Sequence, residues 1–255
     1  MGIITAAYTD IGIKRASNQD SVLLEMAETD YGQVILTVLC DGMGGLSKGE
    51  VASATLVNGF AVWFEKEFPY MLYAGISADK LKTSWEKVVN DINERIANYA
   101  QTMRLQMGTT LVVLLLVGER YYAMHVGDSR IYMLSDEIVQ LTKDQTFVQR
   151  EMDAGRMTEE QAKTDPQRNA LLQCVGASDV IVPEFQFGEI VRKSTFVLCS
   201  DGFRHVVTAE EIYTCLNPHV VGDEAMLQNS LVYLTELNKS RNETDNISVT
   251  AICTN

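Results

Sequence analysis

The chain has 255 residues, 46% of them hydrophobic, with 21 basic and 34 acidic side chains and a formal net charge of −13. That length suits one large domain or two small ones, with ample core. The acidic balance argues against a nucleic-acid backbone or an anionic membrane as partner, and leaves metal cations and cationic substrate segments open.

No apolar run approaches the about 18 residues of a membrane span. The longest, LVVLLLV at 111–117, reads as a core strand. The opening MGIITAAYTD lacks the basic start and long apolar region of a signal peptide, and Ala6 stands where a myristoylation signal needs Ser or Thr. Five cysteines (40, 174, 199, 215 and 253) with no CxxC pair suggest buried, reduced thiols and a cytoplasmic protein.

In chain order, strands are expected at 3–9, 20–28 and 33–40, the last two joined by the turn signal TDYG into a hairpin. The stretch 48–67 is apolar nearly all round and predicts a well-buried helix. In 79–104, Leu81, Trp85, Val88, Ile92, Ile96, Tyr99 and Met103 recur at steps of three and four, the spacing of one helix face. Strands at 109–117, 120–126, 129–134 and 137–141 follow, and their short connections force antiparallel pairing. Residues 145–180 are polar, helical and irregular, as an inserted flap would be. TEEQ at 158 and TAEE at 208 predict capping boxes, and Leu227, Leu231 and Leu234 mark a helix over about 224–239. Strands at 195–200 and 246–253 complete the set. With four prolines, no repeat and no linker, the pattern predicts one α+β domain over 1–255, two stacked sheets covered by helices.

Carboxylates mark the strand ends. VILTVLCDGMGG ends an apolar run at Asp41, YYAMHVGDSR at Asp128 and TFVLCSDG at Asp201, while TDNISVTAI opens one after Asp245. Stacked sheets can bring such edges together, and carboxylates that close repel unless a cation neutralises them. Oxygen ligands select hard cations: Mg²⁺, Mn²⁺ or Ca²⁺. Gly42, Gly44 and Gly45 allow a sharp turn, and the Gly42 carbonyl can itself face a cation. Residues 42–47 also approach the dinucleotide fingerprint G-x-G-x-x-G, but weakly. Ser47 replaces the third glycine, Asp41 would put negative charge beside a pyrophosphate, and the neighbouring hairpins are antiparallel.

Eight segments in order resemble the metal-dependent Ser/Thr protein phosphatases of type 2C in their short bacterial form: DIGIKRASNQDS (10–21), CDGMGG…GEVAS (40–53), MGTTLV (107–112), HVGDSRIY (125–132), LTKDQT (141–146), RNALLQCVG (168–176), CSDGF (199–203) and TDNISV (244–249). The resemblance implies an α-β-β-α sandwich of mainly antiparallel sheets with a metal site at one edge. It implies two Mn²⁺ or Mg²⁺ ions, bridged by Asp41, with the Gly42 carbonyl on one and Asp201 and Asp245 on the other. Asp128 would serve a weaker third ion shared with Asp201. Arg15 would hold the substrate phosphate, and Asp20, Gln19 and Asn246 would support metal-bound waters. The implied reaction is hydrolysis of phosphoserine and phosphothreonine by a metal-activated water. Phosphorylated proteins are the implied substrates, a Ser/Thr kinase an expected partner, and a monomer the expected state. The alternative is a non-catalytic binder of phosphoproteins or a kinase on the same fold.

Two positions depart from the family pattern. Gln19 stands where many members have Glu and adds no charge. Met43 stands where eukaryotic members carry a His thought to act as general acid, and Met cannot donate a proton. Of the other candidates, His125 is expected to be a packed histidine and Asp144 a turn residue or outer support. His205 is a weaker candidate for the site. Cys40 and Cys199, one strand position before an aspartate, should point into the core.

Overall fold

Apolar runs at both ends and in the middle of the chain become the strands of two stacked sheets in the computed structural model, which describes residues 2–43, 48–191 and 193–254. The chain opens with β1 (Ile3–Asp10), β2 (Ser21–Thr29), β3 (Gly32–Cys40) and the short β4 (Gly42–Met43), then α1 (Gly49–Lys66), α2 (Phe68–Tyr73) and α3 (Ala78–Met103). The middle holds β5 (Gly108–Thr109), β6 (Leu111–Val117), β7 (Arg120–Val126), β8 (Arg130–Leu134), β9 (Ile138–Gln140), α4 (Phe147–Asp153) and α5 (Glu159–Thr164). The chain continues through β10 (Glu184–Glu189), β11 (Ser194–Cys199), α6 (Asp201–Arg204), α7 (Ala209–Leu216), α8 (Glu224–Ser240) and β12 (Ile247–Thr254). One sheet runs β1-β12-β11-β8-β9 and the other β10-β7-β6-β3-β2, with β4 and β5 forming a separate ribbon. Every neighbouring pair is antiparallel.

Three apolar layers hold this sandwich. Along β3, Val34, Leu36, Val38 and Cys40 share a core with α1 and α3, while Ile35 and Leu39 face the other way and meet Phe196, Leu198 and Ile252 between the sheets. Along β11 and β12, Val197, Cys199, Val249 and Ala251 share a core with Ile212, Leu227 and Leu231 of the outer helices. Central strands covered on both faces read as continuous apolar runs, because either side chain direction leads into a core. Cys40 and Cys199 take the core-facing positions expected of them, and none of the five cysteines forms a disulfide. A polar contact lies within the middle layer: the Thr37 and Thr250 hydroxyls lie 3.0 Å apart, both residues buried.

Several helix details differ from the periodicity reading. The buried face of α3 is Leu81, Trp85, Val89, Ile92, Asn93, Ile96 and Ala100. Ala100, four residues after Ile96, takes the inward place, so Tyr99 and Met103 fall on the flank and are exposed. α1 is not buried all round, since Val62 on its outer side is 50% exposed. α2 was not foreseen, although its first turn carries Pro69, where a missing N–H costs nothing. β10 was not foreseen either. It pairs along β7 and is secured by aromatic contacts, Phe185 edge-on to Trp85 and Phe187 stacked on Tyr122. Both capping boxes form, Thr158 with Gln161 and Thr208 with Glu211.

The Thr37–Thr250 contact is testable. Thr37→Val strands a buried hydroxyl and should cost about 1–3 kcal/mol in urea unfolding. The Thr37→Val/Thr250→Val double variant should lose clearly less than the sum of the singles, because it removes both partners. Additive losses would show that the two hydroxyls do not interact.

Candidate active site

The acidic junctions come together at one end of the sandwich because antiparallel pairing sets the end of one strand beside the start of the next. Cys199 of β11 pairs with Val249 of β12, so Asp201 and Asp245 emerge as neighbours. Asp41 leaves the end of β3, and Asp128 sits in the turn between β7 and β8. Asp41, Asp128, Asp201 and Asp245 line one cavity of about 250 Å³ with Arg15, Gln19, Gly42, Met43, Thr110, Asn169 and Leu171.

Backbone contacts fix this edge without drawing on the Asp41 carboxylate. The Asp41 N–H donates to Thr110 Oγ1 at 3.0 Å, and the Asp41 carbonyl accepts from the Thr110 N–H and the Thr109 hydroxyl, both at 2.9 Å. At Gly42 a side chain is impossible: a Cβ would stand 2.4 Å from the carbonyl oxygens of Gln19 and Gly49. Gly44 and Gly45, also expected to serve the turn, lie outside the described residues. The loop that carries Arg15 is tied down by Asn246. Its side chain donates to the carbonyls of Ile11 (2.9 Å) and Ser17 (3.1 Å) and accepts from the Gln19 N–H (2.9 Å). These bonds make Asn246 a tie between the Arg15 loop and the start of β12.

Charge is concentrated here without matching cations. Burial, then the fields of Asp20, Asp201, Asp128 and Asp245, push the Asp41 carboxyl well above the usual range. Burial first, then Asp201, pushes Asp128 up to about 7, with Arg204 easing it. Asp20 is also pushed up to about 7, chiefly by burial. Both Asp20 oxygens lack a partner of normal hydrogen-bond geometry, although the Ser248 and Ser200 hydroxyls lie near enough to ease its charge. Asp201 Oδ1 is likewise buried and unpartnered.

The cations present hold carboxylates from the rim. Arg15 Nη2 lies 2.6 Å from Asp245 Oδ2, with the two side chains 50% and 27% exposed. His205 sits 3.4 Å from Asp201 Oδ2 and 3.2 Å from Glu243 Oε2. Burial works against its charge, but the two carboxylates prevail and raise its pKa. With Asp245 turned to Arg15 and Asp201 to His205, no three His, Cys, Asp or Glu side chains among the described residues close on one point as a metal-binding group. The donor set nonetheless suits a hard cation: carboxylates and a carbonyl, an unpartnered Asp201 oxygen, and repulsion that only positive charge relieves. The Arg15 pair is no obstacle, since exposed ion pairs are worth about 0–1 kcal/mol.

Other residues fall where sequence placed them less firmly. His125 is buried, its Nε2 2.8 Å from the Lys143 carbonyl, a packed histidine as expected. Asp144 accepts two bonds from Arg130, at 2.7 and 2.8 Å, and so acts as an outer support. His205 belongs to the site more closely than its sequence position suggested. Asn169 and Leu171 reach the cavity from the segment after α5; they lie in RNALLQCVG, one of the segments that carry the resemblance, but neither was assigned to the site.

Residues 13–231 match the family model described as Protein phosphatase 2C. The serine/threonine protein phosphatase PstP of Mycobacterium tuberculosis is 36% identical over 223 residues, 86% of this chain, which spans only 40% of that relative's length. A putative protein phosphatase 2C-type of Streptococcus pyogenes is 30% identical over 247 residues, 96% of this chain and 94% of the relative. Among solved structures, the catalytic domain of a PstP in complex with two manganese ions superposes with a TM-score of 0.79 at 33% identity, covering 99% of each chain. Its two-sheet α+β architecture is the one described above. No helix among the described residues is long and apolar enough to cross a membrane.

The raised carboxyl groups set a pH dependence. A carboxyl whose folded pKa exceeds its unfolded value contributes stability below the unfolded pKa, near 4, and loses it as pH rises through the folded value. Asp20, Asp41 and Asp128 all act in this sense, and His205 with them; His125, lowered by burial, opposes. In chelator, thermal stability should therefore fall between about pH 5 and pH 7. Saturating Mn²⁺ should reduce that fall. A flat or rising profile in chelator would contradict the electrostatic account.

Proposed function

Because the chain belongs to the protein phosphatase 2C family, we propose that Asp41, Asp201, Asp245 and the Gly42 carbonyl hold two divalent cations, Mn²⁺ or Mg²⁺, for the hydrolysis of phosphoserine and phosphothreonine in proteins. Members of the family are metal-dependent serine/threonine protein phosphatases, and this chain carries that phosphatase domain. The observation that carries the residue assignment is the convergence of Asp41, Asp201 and Asp245 on one cavity beside Arg15, with an oxygen of Asp201 buried and unpartnered. The two manganese ions of the PstP catalytic domain support the same count here.

When bound, such cations lower the pKa of the attacking water and offset charge on the phosphoryl oxygens. The chain's own groups do the rest. Arg15, on the rim, offers a planar guanidinium to two phosphate oxygens. Asn246 sets its reach by pinning the loop at Ile11 and Ser17. Thr109 and Thr110 fix the Asp41 backbone, so the carboxylate enters the cavity at a constant height. Gln19 lines the cavity as a neutral group and Asp20 adds a buried carboxylate behind it. Met43 stands in the wall and cannot donate a proton to the leaving oxygen.

The same reading makes residues 145–180 a flap over the substrate entrance, supported by Asn169 and Leu171 in the cavity wall. It makes phosphorylated proteins the substrates and a Ser/Thr kinase the enzyme that supplies them. It takes the chain as one domain, a monomer in the cytoplasm, in keeping with five cysteines outside any disulfide.

Two experiments test this. Turnover of a phosphothreonine peptide should require Mn²⁺ or Mg²⁺, stop with chelator, and be abolished in Asp41→Asn while circular dichroism stays unchanged; near-normal turnover in that variant would remove Asp41 from the site. Arg15→Ala should lower kcat/KM by about 1.5–3 kcal/mol, with Arg15→Lys recovering only part. If Arg15 serves only its ion pair with Asp245, kinetics should not change and at most about 1 kcal/mol of stability should go.

A further inference from the structure

Arg204 closes the short helix that Asp201 opens, and its side chain returns over the turn between β7 and β8. Its Nη2 donates to the Asp128 carbonyl at 2.8 Å and to Asp144 Oδ2 at 3.3 Å, and lies 3.6 Å from Asp128 Oδ2. The three side chains are 12%, 11% and 10% exposed for Arg204, Asp144 and Asp128. Behind them Arg130 grips Asp144 with two bonds and donates to the Tyr132 hydroxyl at 2.9 Å. Two guanidinium groups thus face two carboxylates, and this corner is balanced within the protein.

Resting on the two-cation reading above, we propose that the Arg204 guanidinium is the resident cation of the Asp128 corner, so that the weak third divalent site implied by family resemblance is absent from this chain. The contrast with Arg15 is physical. Arg15 is half exposed, pairs with Asp245 alone among the described residues, and can swing into water when a divalent ion claims that carboxylate. Arg204 is largely enclosed, its side chain 12% exposed, and held by a backbone carbonyl as well as carboxylates, so withdrawing it strands the Asp128 carbonyl and unbalances Asp144. A divalent ion on Asp128 would also stand beside an unremovable positive charge. Arg204 is therefore a positioning residue: it holds the Asp128 turn in the place where a metal ion would otherwise hold it.

The test counts bound Mn²⁺ by equilibrium dialysis into the millimolar range for wild type, Asp128→Asn, Arg204→Ser and the Arg204→Ser/Asp128→Asn pair. Wild type and Asp128→Asn should bind the same number of ions. Arg204→Ser should bind one more than wild type, and adding Asp128→Asn should remove it. The proposal is overturned if Asp128→Asn takes an ion from wild type, or if folded Arg204→Ser gains none. Should Arg204→Ser fail to fold, the wild-type and Asp128→Asn pair decides alone. The readout is a difference at Asp128. Loss of the principal ions in Asp41→Asn, or their absence from wild type, reports separately on the two-cation reading.

Discussion

Packing Asp20 and Asp41 within reach of Asp201 and Asp245 creates a charge problem that the protein does not solve with its own cations. Left alone, such carboxylates would move apart or take up protons. They cannot move apart, because each leaves a strand end or strand turn anchored in three apolar layers, so without a cation they hold protons to higher pH. The Asp41 backbone is bonded to Thr109 and Thr110, Gly42 is pressed between Gln19 and Gly49, and Asn246 fastens the Arg15 loop to the start of β12. Hydrophobic burial elsewhere thus maintains an electrostatic strain at one edge, which a divalent cation held as proposed above would relieve. Metal affinity and catalytic geometry are then two results of one arrangement.

Two arginines show how position decides what a positive charge does here. Arg15 touches Asp245 from the solvent, where such a pair contributes about 1 kcal/mol at most and yields readily to a stronger partner. That leaves it available to a phosphate. Arg204 is enclosed with Asp128 and Asp144 and tied to a main-chain carbonyl, where parting the charges is costly. One arginine can change partners during a catalytic cycle, and the other is part of the scaffold.

Much of this was legible in the sequence because its causes are local. The covered strands announced themselves as unbroken apolar runs, and the capping boxes at Thr158 and Thr208 formed where four-residue patterns placed them. The aspartates at strand ends could be read together because antiparallel pairing brings such ends to one side. What could not be read depends on contacts between distant segments. Asn169 and Leu171 reach the cavity through the path of the segment after α5, and His205 finds Glu243 across 38 positions. Asn246 carried the expected identity but binds backbone, a choice that only the packed loop reveals. The face of α3 was misjudged at Tyr99 because a small residue, Ala100, took the inward place.

The most direct measurement is a crystal structure grown with Mn²⁺, with anomalous difference maps recorded near the manganese edge. The account predicts two peaks among Asp41, the Gly42 carbonyl, Asp201 and Asp245, with Asp245 released from Arg15. Maps without peaks at this edge, and with the Arg15–Asp245 pair intact at saturating metal, would contradict it.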